Sequence, residues 1–337
     1  MINTLIVDDS ELVRTIIRDF LEEDGNFKII GEAADGEEGV QKILSLNPDL
    51  VTMDIEMPKK TGLEAIEEVM KKVSVPIVVI TSLDTAKTAY EATLKGALEF
   101  YSKEVFTSSL SPEKRRQIYE TLKRISGVKA QKVTEFSEPV LLKQPEKREI
   151  TAVVIGSSTG GPKALSRFFS LLPGDFPVPI MIVQHNSSGF DKSFAQWLNT
   201  FTELNVKIAE ENEIPVPGTV YIAQTDKHLE LRGNGQKSRL CYNDDKPLNN
   251  QKPAVDVLFS TAAETLKQSV ISVVLTGMGS DGALGTQKIR TMGGITLAQD
   301  EESSLIYGMP KAAAETGCVD MVLPLDRIPE ELSRLTK

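Results

Sequence analysis

Two sets of residues carry the chemistry legible in this sequence. The first begins with Asp8 and Asp9, which follow the apolar run Thr4-Leu5-Ile6-Val7, and Asp54, which follows Leu50–Met53. Carboxylates gathered in one place repel one another unless a cation neutralises them. Mg²⁺ is the fitting ion, because it takes one or two protein carboxylates together with water and phosphate oxygens. Thr81, ending Ile77–Thr81, and Lys103, just past Phe100–Tyr101, add a hydroxyl and an ammonium suited to phosphoryl oxygens. Singly, an Asp pair after a strand reads as a helix N-cap, and a lone lysine as a solvated surface group. Five such residues, each at the end of an apolar run, read instead as a site for phosphate chemistry.

The second set opens at Gly156-Ser157-Ser158-Thr159-Gly160-Gly161-Pro162. This is a G-x-S-x-G between the strand-like Ile150–Ile155 and the helical-period Leu165, Phe168 and Phe169, the context in which the motif means a nucleophile elbow. A Gly/Ser-rich phosphate-binding turn is the other reading. A serine nucleophile needs a base, and the chain holds two histidines, His185 and His228. His185 closes the buried-strand run Pro179–Gln184, at the sheet edge expected for Ser158. His228 lies beside a predicted surface hairpin and reads as structural or substrate-facing. The third partner should be an acid at another strand end. Val270–Leu275 leads into Thr276-Gly277-Met278-Gly279-Ser280-Asp281-Gly282, which holds one, although Asp281-Gly282 alone also reads as a turn. The order Ser158, His185, Asp281 differs from the Ser…Asp…His of α/β-hydrolases, but a triad is defined by roles rather than order.

Positioning such residues takes strands that end at a common edge. Apolar runs alternate with amphipathic stretches along the whole chain: Asn3–Val7, Phe27–Ala33, Leu50–Met53, Ile77–Thr81 and Phe100–Tyr101, then Ile150–Ile155, Pro179–Gln184, Thr219–Ala223, Val270–Thr276 and Gly294–Ala298. That alternation predicts an α/β fold in two doubly wound, parallel-sheet domains. The expected division is 1–107, a basic linker over 108–149 with Pro139 and Pro145, and 150–337.

Length and charge narrow the function classes. A chain of 337 residues suits two domains, each with its own core. The net charge of −10 divides as −10 over 1–107, +4 over 108–150 and −4 thereafter. This distribution argues against nucleic-acid binding, as does a body without a helix-turn-helix pattern, so a transcription factor is disfavoured. Apolar runs fall far short of the ~20 residues of a membrane span. No basic leader precedes the first strand, and Cys241 and Cys318 are too few and too separated for a disulfide framework or a metal site. A cytoplasmic location is expected.

The head, through Val7-Asp8-Asp9-Ser10, Asp54 within Met53-Asp54-Ile55-Glu56-Met57-Pro58, Gly62, Thr81-Ser82 and Lys103, resembles a response-regulator receiver domain. The resemblance implies a flavodoxin-like fold. It also implies that Asp54 accepts a phosphoryl group from a histidine kinase, that Asp8, Asp9, Asp54 and the Glu56 carbonyl hold Mg²⁺, and that Thr81 and Lys103 sense the phosphate. Glu104 stands where the family usually has proline. The body resembles the catalytic domain of chemotaxis protein-glutamate methylesterases, through the Ile155–Gly161 and Thr276–Ala283 segments with Val183-Gln184-His185, Val220-Tyr221-Ile222-Ala223, Ala298-Gln299-Asp300-Glu301 and Tyr307-Gly308-Met309-Pro310. Asn186-Ser187 replaces the family's usual Met-Pro. This resemblance implies a Rossmann-like hydrolase domain with Ser158, His185 and Asp281 as nucleophile, base and orienter, oxyanion contacts around Thr159 and Met278, and no cofactor there. The implied substrates are glutamyl methyl esters of membrane chemotaxis receptors, with methanol released. The implied activity extends to receptor glutamine deamidation, and phosphorylation relieves inhibition by the receiver. A methylesterase-like output serving another pathway, or acting as a binding module, is the alternative.

Overall fold

The computed structural model of this chain describes residues 1–82, 86–107, 110–128, 140–141 and 148–337. Its contacts divide the chain into two units, 1–134 and 135–337.

The first unit alternates strand and helix: β1 (Ile2–Val7), α1 (Glu11–Glu23), β2 (Phe27–Ala33), α2 (Gly36–Leu46), β3 (Leu50–Met53), α3 (Gly62–Lys72), β4 (Ile77–Thr81), α4 (Ala86–Lys95), β5 (Glu99–Ser102) and α5 (Lys103–Thr107). The sheet is parallel throughout, in the order β2-β1-β3-β4-β5. Every residue of β3 and β4 is buried, as strands covered on both faces require. The chain reverses direction across the sheet between β1 and β3, so the residues after those strands, Asp8, Asp9 and Asp54, meet at a topological switch point.

One segment expected to be linker belongs to this unit. Ser111 caps a helix α6 (Pro112–Ser126) through the Lys114 N–H, with proline in the first turn. Ile118, Tyr119, Leu122 and Ile125 recur at helical spacing and join Ile6, Ile17 and Phe20 in one core. The Tyr119 hydroxyl donates to the Phe20 carbonyl at 2.6 Å. The helix's basic face pairs with the acidic head: Arg115 with Glu23, and Lys123 with Asp24 at 3.0 Å. Within the stretch 108–149, expected as a basic linker with a helix start at Ser111-Pro112-Glu113, α6 thus packs onto this core.

The second unit contains β6 (Val140–Leu141), β7 (Ala152–Ser157), α7 (Gly161–Ser170), β8 (Ile180–Gln184), α8 (Asp191–Leu198), β9 (Asn205–Ile208), β10 (Thr219–Ile222), β11 (His228–Arg232) and β12 (Arg239–Asn243). It continues with α9 (Val255–Leu266), β13 (Val270–Val274), α10 (Ala283–Thr291), β14 (Ile295–Gln299), α11 (Met309–Glu315), β15 (Met321–Leu323) and α12 (Arg327–Leu335). Eight strands form the sheet β6-β15-β14-β13-β7-β8-β10-β9, parallel except for the β6 edge, while β11 and β12 pair as an antiparallel hairpin. The chain enters at the central β7, winds outward through β8, then crosses back to β13 on the other side. Its switch point lies between β7 and β13, where the Ser158 and Asp281 loops leave the sheet.

Candidate active site

In the first unit, Asp8 and Asp54 are buried and Asp9 is exposed, and one carboxylate oxygen of each lies within 4.8 Å of the others. Lys103 Nζ sits 2.7 Å from Asp54 Oδ2 and 2.8 Å from Asp8 Oδ2. Burial raises the Asp8 carboxyl above its ordinary range, and Asp54's charge adds to this against the lowering effect of Lys103 and the Ser10 N–H. Burial alone would lower the Lys103 ammonium, but its contacts with Asp54 and Asp8 outweigh that and raise it. Among the described residues, Asp8 Oδ2 accepts no hydrogen bond beyond its ion pair with Lys103. The cluster of three carboxylates thus has one lysine, paired with Asp8 and Asp54, as its cation among the described residues. This donor set fits a hard divalent cation. Thr81 is buried at the end of β4, and Glu56 is exposed two residues beyond Asp54. Glu104 forms a small closed cap with Ser102, whose Oγ accepts the Glu104 N–H and donates to its carboxylate.

In the second unit, Ser157 pairs with Gln184 as the last rung between β7 and β8, so Ser158 and His185 leave the sheet side by side. The Ser158 N–H donates to the Thr276 carbonyl at 3.0 Å, and its own carbonyl accepts from Gly161 N (2.7 Å) and Gln184 Nε2 (3.0 Å). Gly160 takes φ +77° before α7, a conformation that suits glycine. Gly277 is equally constrained: a Cβ there would lie 2.7 Å from Ser158 Cβ.

His185 is tied at both ends. Its N–H donates to the Ser157 carbonyl (3.0 Å), and its carbonyl accepts the second Gln184 amide hydrogen (2.9 Å). Ring Nε2 donates to Asp281 Oδ2 at 2.9 Å. That bond fixes the tautomer and leaves the lone pair on Nδ1, which is buried and without a partner among the described residues. Asp281 is 3% exposed and accepts from two backbone N–H groups at the start of α9, Val255 at 2.7 Å and Asp256 at 3.0 Å. Burial works to raise its carboxyl, but His185 and the two N–H groups prevail and hold it below its ordinary value. Ser158 Oγ makes no hydrogen bond among the described residues. A hydroxyl, an imidazole with an available lone pair and an ionised carboxylate thus share the switch point of one sheet.

Two family models match this chain, one within each unit. The response regulator receiver domain matches residues 4–112, and the CheB methylesterase domain matches residues 153–332. A protein-glutamate methylesterase/protein-glutamine glutaminase from Thermotoga maritima is 39% identical across 99% of this chain and 98% of its own length. The chain belongs to this methylesterase family. The protein of the same description from Clostridium acetobutylicum is 38% identical over 100% of this chain and 98% of its own. The crystal structure of the Thermotoga maritima CheB methylesterase catalytic domain superposes with a TM-score of 0.54 at 45% identity, over 56% of this chain and 100% of that one. The protein is a receiver-regulated protein-glutamate methylesterase/protein-glutamine glutaminase, and its two α/β sheets are the receiver and methylesterase domains. No helix among the described residues is long and apolar enough to cross a membrane.

The methylesterase sheet brings Ser158, His185 and Asp281 together and keeps His228 apart. His228 is buried, accepts the Ala254 N–H on Nδ1 (3.1 Å) and faces the Lys246 carbonyl with Nε2 (3.1 Å), so both ring nitrogens are engaged in fixing the chain before α9. Thr159 is buried, its carbonyl accepts from Thr276 Oγ1 (3.0 Å), and its N–H has no partner among the described residues. The Met278 loop is anchored from below, with Gly277 N donating to Ile306 O (3.0 Å) and Gly277 O accepting from Met309 N (2.8 Å). Residue-by-residue reading missed the amides beneath the site. Gln184 accepts from Ser157 Oγ (2.6 Å) while clamping both Ser158 and His185, and Gln299 accepts the Thr276 N–H (2.8 Å). The available signal was a glutamine closing a strand that is otherwise apolar.

Proposed function

We propose that Ser158, His185 and Asp281 are the nucleophile, base and orienter of the methylesterase reaction. The observation that supports this best is the Asp281–His185 contact beside Ser158, which leaves one imidazole lone pair unused. Ser158 Oγ attacks the γ-carbonyl carbon of a glutamyl methyl ester, and its proton passes to His185 Nδ1 as Oγ and Nδ1 come into contact around bound substrate. The unpartnered Thr159 N–H, at the residue after the nucleophile, receives the developing oxyanion, with the Met278 loop on its other side. Collapse breaks the bond to the methoxy oxygen, which leaves as methanol with the proton from His185. Water then attacks the acyl-serine, His185 takes its proton, and the glutamate carboxylate and Ser158 hydroxyl are regenerated. A glutamine side chain follows the same course with ammonia leaving.

In the receiver, Asp8, Asp9, Asp54 and the Glu56 carbonyl would hold Mg²⁺, which when bound offsets negative charge on carboxylates and phosphoryl oxygens. Asp54 is the phosphoacceptor, supplied by the chemotaxis histidine kinase, and Thr81 and Lys103 read the phosphoryl group. The substrates are methyl-accepting chemotaxis receptors. The test is methanol release from methylated receptors, with and without a small phosphodonor. Wild type should respond to the phosphodonor, D54N should not, and S158A should lose activity by a factor on the order of 10⁴ or more. Normal methanol release by S158A would overturn the assignment.

A further inference from the structure

The helices α9 and α10 begin at Ala254 and Gly282, neither of which can cap a helix with its side chain. Each is capped by the other's carboxylate instead. Asp281, just before α10, accepts the Val255 and Asp256 N–H groups at the start of α9. Asp256, in the first turn of α9, accepts the Gly285 N–H of α10 on Oδ1 at 2.7 Å, and its Oδ2 accepts from Asn249 Nδ2 at 3.0 Å. This reciprocal arrangement places a second carboxylate, 2% exposed, directly behind the acid that orients His185. We propose that Asp256 is a positioning residue of the methylesterase reaction, holding Asp281 in place and adding negative charge behind the Asp281–His185 pair. The proposal rests on the triad assignment above.

The surroundings leave that charge unneutralised by any cation. On α10, Lys288 is paired with Glu264 and Arg290 with Asp320. On β11, Glu230 is paired with Arg232, and His228 is bonded to Ala254 and Lys246. Asp281 is the charged group that faces Asp256, and no salt bridge to Asp256 occurs among the described residues. Burial, with Asp281's charge adding to it, raises the Asp256 carboxyl to about 6. Asp281 is held low, so the two neighbouring acids are pushed apart and both are ionised at neutral pH. When His185 takes the Ser158 proton, the imidazolium forms next to two negative charges rather than one.

The test uses D256N and D256A in the full chain. The asparagine keeps an acceptor for the Gly285 N–H while removing the charge and the oxygen that accepts from Asn249 Nδ2, whereas alanine removes all three. With a nearby anion removed, His185 holds its proton less tightly. The acid limb of the methanol-release profile in D256N should therefore move to lower pH by about half a unit to one unit, with maximal turnover reduced roughly three- to tenfold. The His185 imidazole resonance followed by NMR against pH should move the same way. D256A should lose more turnover and unfold earlier; if it fails to fold, D256N carries the test. An unchanged His185 titration and acid limb in D256N, with or without a loss of rate, would overturn the proposal. Because the NMR titration needs no turnover, it stands apart from the serine assignment, whose failure would appear as activity retained in S158A.

Discussion

Gln184 is the most heavily used side chain beneath the active site, and its replacement can be worked through from its bonds. It is 3% exposed, and its amide accepts from Ser157 Oγ while donating to the Ser158 and His185 carbonyls. In Q184L the Ser157 hydroxyl and the His185 carbonyl lose these partners, whereas the Ser158 carbonyl keeps the Gly161 N–H. At about 1–3 kcal/mol for each orphaned group, the expected loss is about 2–6 kcal/mol. At roughly 2–4 °C per kcal/mol for a domain of this size, a loss near 4 kcal/mol lowers the melting temperature by about 8–16 °C. Q184E makes the argument directional. The carboxylate it introduces would, when ionised, set a negative oxygen against two carbonyl oxygens, and only its protonated form can donate to one of them. The folded protein then binds the proton more tightly than the unfolded chain, so Q184E loses stability as pH rises from about 4 towards 8, while Q184L does not. Trp197, the chain's single tryptophan, is buried in α8 of the methylesterase domain, so its fluorescence during urea unfolding reports this domain alone. A Q184L loss below about 1 kcal/mol, or a pH-independent Q184E, would refute the clamp.

Three further outcomes are expected. Lys103→Met leaves Asp8 and Asp54 buried without their cation, which should cost the receiver about 3–5 kcal/mol in metal-free buffer. Millimolar Mg²⁺ should recover part of the loss, and equal unfolding curves with and without Mg²⁺ would argue against cation binding. Asp256, raised to about 6, holds its proton more tightly when folded, so its ionisation costs stability as pH rises from about 4 through 6, at most about 3 kcal/mol. D256N should therefore gain on wild type over that window in urea unfolding, even as it loses activity. The lowered Asp281 acts in the opposite sense, contributing stability above about pH 4 that is lost as pH falls through its folded value. Gly277→Ala would bring a Cβ to 2.4 Å from Met309 Sδ and 2.7 Å from Ser158 Cβ, and should cut methanol release at least about tenfold with the circular dichroism spectrum unchanged.

What the sequence disclosed follows the physics of parallel sheets. Strands buried on both faces are short apolar runs, so β3, β4, β7, β8 and β13 were legible, and with them the residues at their carboxyl ends. Edge strands carry weaker signals. The outer β9 contains exposed Asn205 and half-buried Lys207, and β15 has three residues, so neither stood out. The start of α6 is legible at Ser111-Pro112-Glu113, but its basic composition hides that Ile118, Leu122 and Ile125 join the core of the first unit. The triad could be seen because each member follows a recognisable strand. Asp256 could not, since an acid in the first turn of a helix is ordinary in sequence, and its partner Gly285 is brought to it only by the packing of α9 against α10.

The two domains meet one electrostatic problem in different ways. Both gather carboxylates at the switch point of a parallel sheet, where burial penalises charge. The receiver answers with a single lysine spanning Asp8 and Asp54, and burial still holds Asp8 above its ordinary range. On the proposed reading, that residual negative charge is what a cation and, after phosphorylation, Lys103 would act on. The methylesterase domain answers with helix N-termini: Asp281 takes two N–H groups of α9, and Asp256 takes one of α10. Fixed backbone dipoles cannot leave or be exchanged, so Asp281 stays charged beside the His185 ring. On the proposed reading a mobile charge is the receiver's signal, whereas the triad needs its charge constant. The difference in how the carboxylates are neutralised follows the difference in what each site does.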